Sequence, residues 1–280
     1  MTTGAPLHTL IQITDPHLTP EGSLLRGRID TAAPFERALA TVTASGVTAG
    51  ALLLTGDLAD AGDAPTYRRL RALVDPLGIP VVTVAGNHDD RAGIRVHLMD
   101  RPADPSGPDR TPLDHVVRIG GLRVVVLDTT VPGHGHGELR RAQVEWLAAE
   151  LAEPAPDGTV LALHHPPLPT PNRLSRLIEL RGREALAPVL AGSDVRIVLA
   201  GHTHVVSAGA IAGVPVWTGG GTAYGSDGLA PDRGERVLLA PGLSRIDLFT
   251  DSVIVTAIPV DPVVALTLSG AQVDAMAARA

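Results

Sequence analysis

Short apolar runs of strand length recur along the chain at Thr9–Thr14, Ala51–Thr55, Val81–Val84, Val124–Leu127, Val160–Leu163 and Val195–Leu199. They are rich in valine, isoleucine and leucine and read as buried strands. Between several of them, apolar and polar positions fall into helical spacing over Ala32–Ala44, Pro65–Leu77, Arg91–Met99, Glu138–Leu151 and Arg176–Leu190. Pro65 and Glu138 stand near helix starts, where a missing N–H is tolerated and a negative charge is favoured. Strands alternating with helices predict α/β layers. After residue 205 the pattern changes: Val205–Ala212, Val214–Thr218, Leu243–Phe249 and Ser252–Ile258 follow one another as strands with Gly-rich turns. A single doubly wound sheet does not accommodate that block, whereas two packed mixed sheets with outer helices do. Arg101–Pro112 and Gly219–Pro241 read as loops. One domain is expected over residues 1–260. The tail over 261–280 reads as a packing or dimer element with a possible short helix.

The chain has 280 residues, 44% apolar and 19% charged, with a formal charge of −7. That is enough chain for a well-buried core and too little charge for disorder. There is no cysteine, which excludes disulfides, thiolate metal sites and thiol nucleophiles. All 23 basic residues are arginine, so Schiff-base chemistry and a P-loop lysine are excluded as well. No uncharged apolar run reaches the roughly 18 residues of a membrane span. Met1–Leu7 lacks the basic-then-apolar order of a secretory leader. A cytoplasmic protein without a membrane span is expected. An acidic chain with six aromatic residues offers no surface for polymeric nucleic acid.

The polar residues that follow the strands carry the chemistry. Asp15-Pro16-His17 follows the first run, Gly56-Asp57-Leu58-Ala59-Asp60 the second, and Gly86-Asn87-His88-Asp89-Asp90 the third. His164-His165-Pro166-Pro167 and Gly201-His202-Thr203-His204 follow two later runs. Ligands of α/β sheets gather at the carboxyl ends of strands. Residues i and i+2 of an extended segment share a face, so Asp15 with His17, and His202 with His204, can each reach one site, with Pro16 keeping Asp15 extended. His164 and His165 are adjacent and would face opposite ways, so one of them is expected to ligate. Gly56, Gly86 and Gly201 stand where the backbone must turn beside a crowded centre. Asp15, His17, Asp57, Asn87, His164, His202 and His204 are too many groups for one ion and suit two, bridged by a carboxylate. Mixed nitrogen and oxygen ligation without sulfur suits Fe and Mn first, with Zn or Co as alternatives. Two such ions about 3.5–4 Å apart can hold a hydroxide between them and clamp a phosphoryl group.

The ordered set D-x-H, G-D-x-x-D, G-N-H-D, H-H-P-P and G-H-T-H resembles the calcineurin-like metallophosphoesterases. Within that superfamily GDLAD, GNHDDR, LALHHPP and LAGHTH are most similar to the bacterial class III cyclic nucleotide phosphodiesterases. The resemblance implies a four-layer αββα sandwich of two mixed sheets flanked by helices. It implies one metal on Asp15, His17, Asp57 and His204, and a second on Asp57, Asn87, His164 and His202. His88 corresponds to the histidine that meets the substrate phosphate and assists the leaving oxygen, and Asp60 to the carboxylate that orients it. Asn87 would also touch substrate. His165 reads either as packing against Pro166 and Pro167 or as a substrate contact, and His136, in the TTVPGHGHGE stretch, as a substrate-lining residue. Tyr224 beside Gly219-Gly220-Gly221 reads as a base-stacking lip or as a simple flexible turn.

One departure bears on substrate class. In the protein serine/threonine phosphatases the second motif continues into an arginine that clamps phosphate, whereas here Ala61-Gly62 follows Asp60. A diester carries one negative charge and needs that cation less, unless Arg91 or a loop arginine replaces it. The motifs together with the resemblance therefore predict a dinuclear metal-dependent phosphodiesterase acting on small diesters, 3′,5′- or 2′,3′-cyclic nucleotides first, and the resemblance further implies a homodimer. Broader phosphoesterases acting on glycerophosphodiesters, phosphomonoesters or nucleotide pyrophosphates are the alternative. A non-enzymatic scaffold is disfavoured because every ligand position is intact.

Overall fold

In the computed structural model, which describes residues 4–104, 107, 111–231 and 234–277, alternation along the strands decides the layering. In β1 (His8–Ile13) Ile11 and Ile13 enter one core and Leu10 another; in β2 (Ala51–Thr55) Leu52 and Leu54 divide from Ala51 and Leu53 in the same way. Strands buried on both faces have no polar side to show, which is why they read as unbroken apolar runs.

The chain continues through β3 (Val81–Val84), β4 (His115–Ile119), β5 (Leu122–Leu127), the short β6 (Gly137–Glu138), β7 (Thr159–Leu163), β8 (Leu180–Arg181) and β9 (Val195–Ala200). It ends with β10 (Ser207–Ile211), β11 (Val214–Thr218), β12 (Gly225–Ser226), β13 (Val237–Leu238), β14 (Gly242–Leu248) and β15 (Val253–Pro259). One sheet has the order β15-β14-β1-β2-β3 and the other β10-β11-β9-β7-β5-β4. β1, β2 and β3 run parallel, as do β5, β7, β9 and β11, while β4, β10, β14 and β15 pair antiparallel. Both sheets are thus mixed.

The helices are α1 (Ala32–Ala44), α2 (Ala64–Val74), α3 (Arg91–His97), α4 (Arg141–Glu150), α5 (Arg173–Arg176), α6 (Leu186–Leu190) and α7 (Gly270–Ala277). Phe35 of α1, Tyr67 and Leu70 of α2 and Ile94 of α3 cover the outer face of the first sheet. Leu147 of α4 with Leu186 and Leu190 of α6 cover the outer face of the second. Between the sheets Leu53, Val82, Val126, Val160, Leu199 and Ile246 form a third core. Each such side chain contributes about 1.5–3 kcal/mol on burial. The result is the expected αββα sandwich.

The helix expected over Arg176–Leu190 is not continuous. Gly182 adopts φ 74°, Leu180–Arg181 is extended and pairs with Gly137–Glu138, and beyond it a 3₁₀ turn over Arg183–Ala185 leads into the α-helix Leu186–Leu190. Strand β4, unmarked by the sequence reading, pairs with β5 through a tight turn at Gly120-Gly121. The loop expected over Gly219–Pro241 contains the β12–β13 pair, and the tail ends in α7 with Val263, Leu266 and Met276 exposed. The loop expected over Arg101–Pro112 lies partly outside the described residues, as do Met1–Thr3 and 278–280.

Candidate metal centre

The five motifs leave the carboxyl ends of β1, β2, β3, β7 and β9, so the parallel strands of both sheets deliver them to one edge of the sandwich. Beyond its end, β1 keeps its bond to the second motif: Asp15 N donates to Gly56 O at 3.0 Å and His17 N to Asp57 O at 2.9 Å. Gly201 N donates to His164 O at 3.0 Å, which joins the fourth and fifth motifs. Asp15, His17, Asp57, His164, His202 and His204 are all buried.

Their ring nitrogens are sorted by hydrogen bonds. His164 Nδ1 donates to Thr55 O at 2.9 Å and His204 Nδ1 to Tyr224 O at 2.8 Å, which leaves each Nε2 facing inward. His17 Nδ1 faces the Asp60 carboxylate at 3.3 Å, again leaving Nε2 inward. His202 is the reverse: Nε2 donates to Ile178 O at 2.9 Å, so Nδ1 is the nitrogen left for an ion. Carbonyl and carboxylate partners of this kind fix the tautomer of metal-ligating histidines.

The inward atoms form two groups. His17 Nε2 and His204 Nε2 stand 3.2 Å apart, with Asp57 Oδ2 3.5 Å from the first and Asp15 Oδ1 3.4 Å from the second. On the other side His164 Nε2 lies 3.2 Å from Asn87 Oδ1 and 3.4 Å from Asp57 Oδ1. Asp57 offers one oxygen to each group, an arrangement that suits a carboxylate shared by two ions. Lone pairs meeting at this spacing repel unless a cation stands among them, so the donor set fits two metal ions. The charges express the same demand. Burial alone would raise the Asp57 carboxyl, but the His164 and His17 imidazoles outweigh it and hold it well below the ordinary range. Burial disfavours His164 protonation, yet Asp57 and Asp15 prevail and push it to about 9. His202 goes the other way, to about 4, through burial and the neighbouring His164.

Above these atoms lies a cleft of about 200 Å³, floored by His17, Asp57, Asn87 and His88. Leu25 and Ile29 line it on one side, and Leu174 and Ile178 are further apolar lining. A larger cavity of about 780 Å³, lined by α1 and β14–β15 residues such as Pro34, Leu243 and Ile258, holds none of the motif side chains.

Residues 8–206 match the family model described as calcineurin-like phosphoesterase. The chain belongs to the calcineurin-like phosphoesterases. A cAMP/cGMP dual specificity phosphodiesterase of Mycobacterium tuberculosis is 44% identical over 259 residues, covering 91% of this chain and 80% of that protein. A probable cyclic nucleotide phosphodiesterase of Rhodococcus erythropolis is 40% identical over 261 residues, covering 91% and 84%. Among solved structures, a purple acid phosphatase from yellow lupin seeds aligns with TM-score 0.66 at 15% identity, over 92% of this chain and 52% of that one, a likeness of fold. Members of this family bind two metal ions, and the clusters in this phosphoesterase offer the side chains for them.

The structure brings the seven expected ligands of the phosphoesterase together, but by a different backbone route. Asp15 and His17 have φ of 51° and 41° rather than extended values, so Pro16 does not keep Asp15 extended. The curl lets the Asp15 carbonyl accept from Ala223 N at 3.1 Å while its carboxylate accepts from His202 N at 2.9 Å. His202 and His204, at φ 72° and 55°, do not share a site: His204 joins Asp15 and His17, and His202 joins His164. His165 lies within the histidine cluster, but Nδ1 contacts Thr129 Oγ1 at 2.8 Å and Nε2 contacts Gly135 O at 3.2 Å, so both nitrogens are engaged. Neither His165 nor His136 lines the cleft.

His88 is exposed above the centre. Its Nδ1 donates to Asp60 O at 3.0 Å and lies 3.3 Å from Asp60 Oδ1, while its backbone N donates to Asp57 Oδ1 at 2.9 Å. Asp60 thus touches both His17 and His88, and the His17 hydrogen bond lowers its carboxyl below the usual range despite partial burial. Arg91 does not replace the phosphatase arginine: it is buried, with Nε 2.6 Å from Asp128 Oδ2 and Nη2 donating to Thr130 O at 2.8 Å. The Tyr224 ring stacks on His204 at 4.1 Å and 16°, a wall of the centre rather than a loose turn.

Asp89, to which the motif pattern assigns no role, supports the centre. Its carboxylate accepts from Leu58 N at 3.1 Å, Ala59 N at 3.0 Å and Gly86 N at 2.9 Å, and from Tyr67 OH at 3.0 Å. It ties the second motif to the third and so holds Asp57 beside Asn87. Burial, with Asp57 nearby, pushes it up to about 6. Its place in GNHDD was the available signal.

Proposed function

We propose that this phosphoesterase hydrolyses small phosphodiesters, with cyclic nucleotides as its principal substrates, at a two-metal centre. The observation that carries the reading is the donor set: seven buried or half-buried ligand groups converge with Asp57 between them, while Ala61 stands where the serine/threonine phosphatases carry their phosphate-clamping arginine. The similarity to two cyclic nucleotide phosphodiesterases over nine-tenths of the chain supports the substrate class. Asp15, His17, Asp57 and His204 would hold one ion, and Asp57, Asn87, His164 and His202 the other. Nitrogen and oxygen donors without sulfur favour Fe and Mn, with Zn or Co also accommodated. When bound, the ions supply Lewis acidity to the phosphoryl oxygens and lower the pKa of a coordinated water.

The chain's own groups do the rest. Asn87 and His88 stand at the floor of the cleft, where a phosphate seated against the centre would meet them. His88, anchored through Nδ1 to Asp60, presents Nε2 to the departing sugar oxygen and can donate a proton to it. Asp60 acts through His88 and His17 by fixing their rings. The same reading takes the catalytic domain as residues 1–260 with a tail beyond it, a cytoplasmic location and a homodimer, which light scattering of the metal-loaded protein tests.

Turnover of 3′,5′-cyclic AMP and GMP by Mn²⁺-loaded protein, followed by chromatography of the nucleoside monophosphate, tests the assignment. The expected result is metal-dependent hydrolysis that His88→Ala lowers about 100-fold or more, the usual scale of a general acid. Hydrolysis of monoesters alone would overturn it.

A further inference from the structure

The cleft is small for its class, about 200 Å³ against the roughly 300–1,000 Å³ common for small-molecule sites. With a phosphate seated at the metal ligands, the space takes a sugar and leaves a base at the mouth. A nucleobase there needs a planar partner for its face and polar partners for its edge. Tyr224, the one aromatic residue besides histidines that lines the cleft among the described residues, already has a face covered by His204.

Two charged side chains remain at the mouth. Arg26 is the one arginine lining the cleft among the described residues, is exposed, and takes part in no ion pair among them. Its backbone is fixed: φ is 51°, Arg28 N and Ile29 N donate to Leu25 O at 3.1 and 3.0 Å, and Gly27 N donates to Leu24 O at 3.0 Å. Arg26 and Tyr224 line the same cleft, and the arginine's positive charge opposes the rise that burial imposes on the phenol. Glu235 also lines the cleft, and the buried Asn172 holds it by donating from Nδ2 to Oε1 at 3.2 Å and Oε2 at 3.3 Å. Arg26 and Glu235 line one cleft without pairing with each other. Leu174 and Val237, half exposed, complete the mouth with apolar surface.

We propose that Arg26 and Glu235 are the base-recognition pair of this cleft: the guanidinium plane lies against the face of a purine, and the carboxylate accepts from its exocyclic amino group. The inference rests on the cyclic-nucleotide reading above. A guanidinium stacks on an aromatic face as a lysine ammonium cannot, and a carboxylate is an acceptor only, which selects an amino group over a carbonyl at the base edge. Both residues act on substrate binding and leave the phosphoryl chemistry to the centre.

Steady-state kinetics of the metal-loaded full chain test this with three probes. They are 3′,5′-cyclic AMP, 3′,5′-cyclic IMP, which lacks the amino group, and a methyl riboside 3′,5′-cyclic phosphate, which lacks the base. Arg26→Ala is expected to raise KM for cyclic AMP about tenfold with little change in kcat, and to leave the base-free probe unaffected. Arg26→Lys should not restore the wild-type KM, because it keeps the charge and loses the plane. Glu235→Ala should erase a preference of about fivefold for cyclic AMP over cyclic IMP. Full rescue by Arg26→Lys, an equal loss on the base-free probe, or unchanged cyclic AMP kinetics in both alanine variants would overturn the pair while leaving the phosphodiesterase reading intact. Wild-type turnover of the base-free probe with none of either nucleotide would overturn the nucleotide reading itself, and the inference with it.

Discussion

Asp15, His17, Asp57, His202 and His204 all sit in left-handed backbone, with φ between 41° and 72°. For residues other than glycine this costs on the order of 1–3 kcal/mol each. The surroundings hold them there: Asp15 is bonded through its N–H, its carbonyl and its carboxylate. Asp57 is the most demanding position, since its two oxygens serve both ligand groups. Asp57→Asn is expected to reduce bound metal below two ions per chain by elemental analysis and to lower diester hydrolysis at least ~100-fold; undiminished metal content would show that Asp57 does not bridge. Asp89→Asn sets amide hydrogens against backbone N–H groups. It should cost about 1–3 kcal/mol in urea unfolding and weaken metal binding roughly 10–100-fold, whereas wild-type values for both would remove Asp89 from the support of the centre. The convergence of these side chains was legible, because polar residues at strand ends stand out against apolar runs. The glycines were legible too: a Cβ at Gly56 would overlap the His164 ring, one at Gly86 would overlap Asp57, and one at Gly201 would overlap Thr14. The left-handed turns were not, since the enrichment of Asp and His in that region is too weak to single out positions that long-range bonds hold there.

Strands buried on both faces and helices with one apolar stripe carry a strong local signal, and α1 spans the expected Ala32–Ala44. Strand β4 carries a weak one, because it is an edge strand only partly buried. Its hairpin turn, Gly120-Gly121 before Leu122, was the cue. The Arg176–Leu190 segment has helical spacing, yet tertiary pairing of Leu180–Arg181 with Gly137–Glu138 overrides it and frees the Ile178 carbonyl for His202. At the joint of β4, β5 and α4, Asp114 accepts from Asp128 N at 2.7 Å and Gln143 Nε2 at 2.9 Å. Burial pushes it from 3.8 to about 6, its hydrogen bonds opposing and Asp128 adding to the rise. A folded-state value above the unfolded one means that its contribution to stability is present below pH 3.8 and lost as pH rises through about 6; the loss reaches roughly 3 kcal/mol at most. Asp114→Asn keeps the Oδ1 acceptor and removes the titration. Urea unfolding should therefore show the variant gaining on wild type as pH rises through that window, and a difference independent of pH would contradict the assignment.

At the scale of the whole molecule, two mixed sheets place five strand ends at one edge, and neither sheet alone completes a ligand set. His17 and Asp57 come from the first sheet, His164 and His202 from the second, so metal binding should clamp the two sheets together. An ion must displace the proton that His164, at about 9 in the metal-free chain, otherwise holds. Apparent metal affinity should therefore climb with pH through neutrality towards about 9, and calorimetry in buffers of different ionisation enthalpy should register proton release; pH-independent affinity would contradict the ligand assignment. Metal at 100 times its Kd should raise stability by about 2.7 kcal/mol. The architecture was legible from the alternation of runs, while the walls of the cleft were not, because Leu25, Arg26, Leu174 and Glu235 come from segments without motif or period. Phosphodiester hydrolysis at this centre is measured by comparing turnover of bis-p-nitrophenyl phosphate and p-nitrophenyl phosphate by Mn²⁺-loaded protein, with Asn87→Ala as control. A strong preference for the diester, lost in Asn87→Ala, is the predicted result. Equal or faster monoester turnover, or an undiminished rate in the variant, would contradict it.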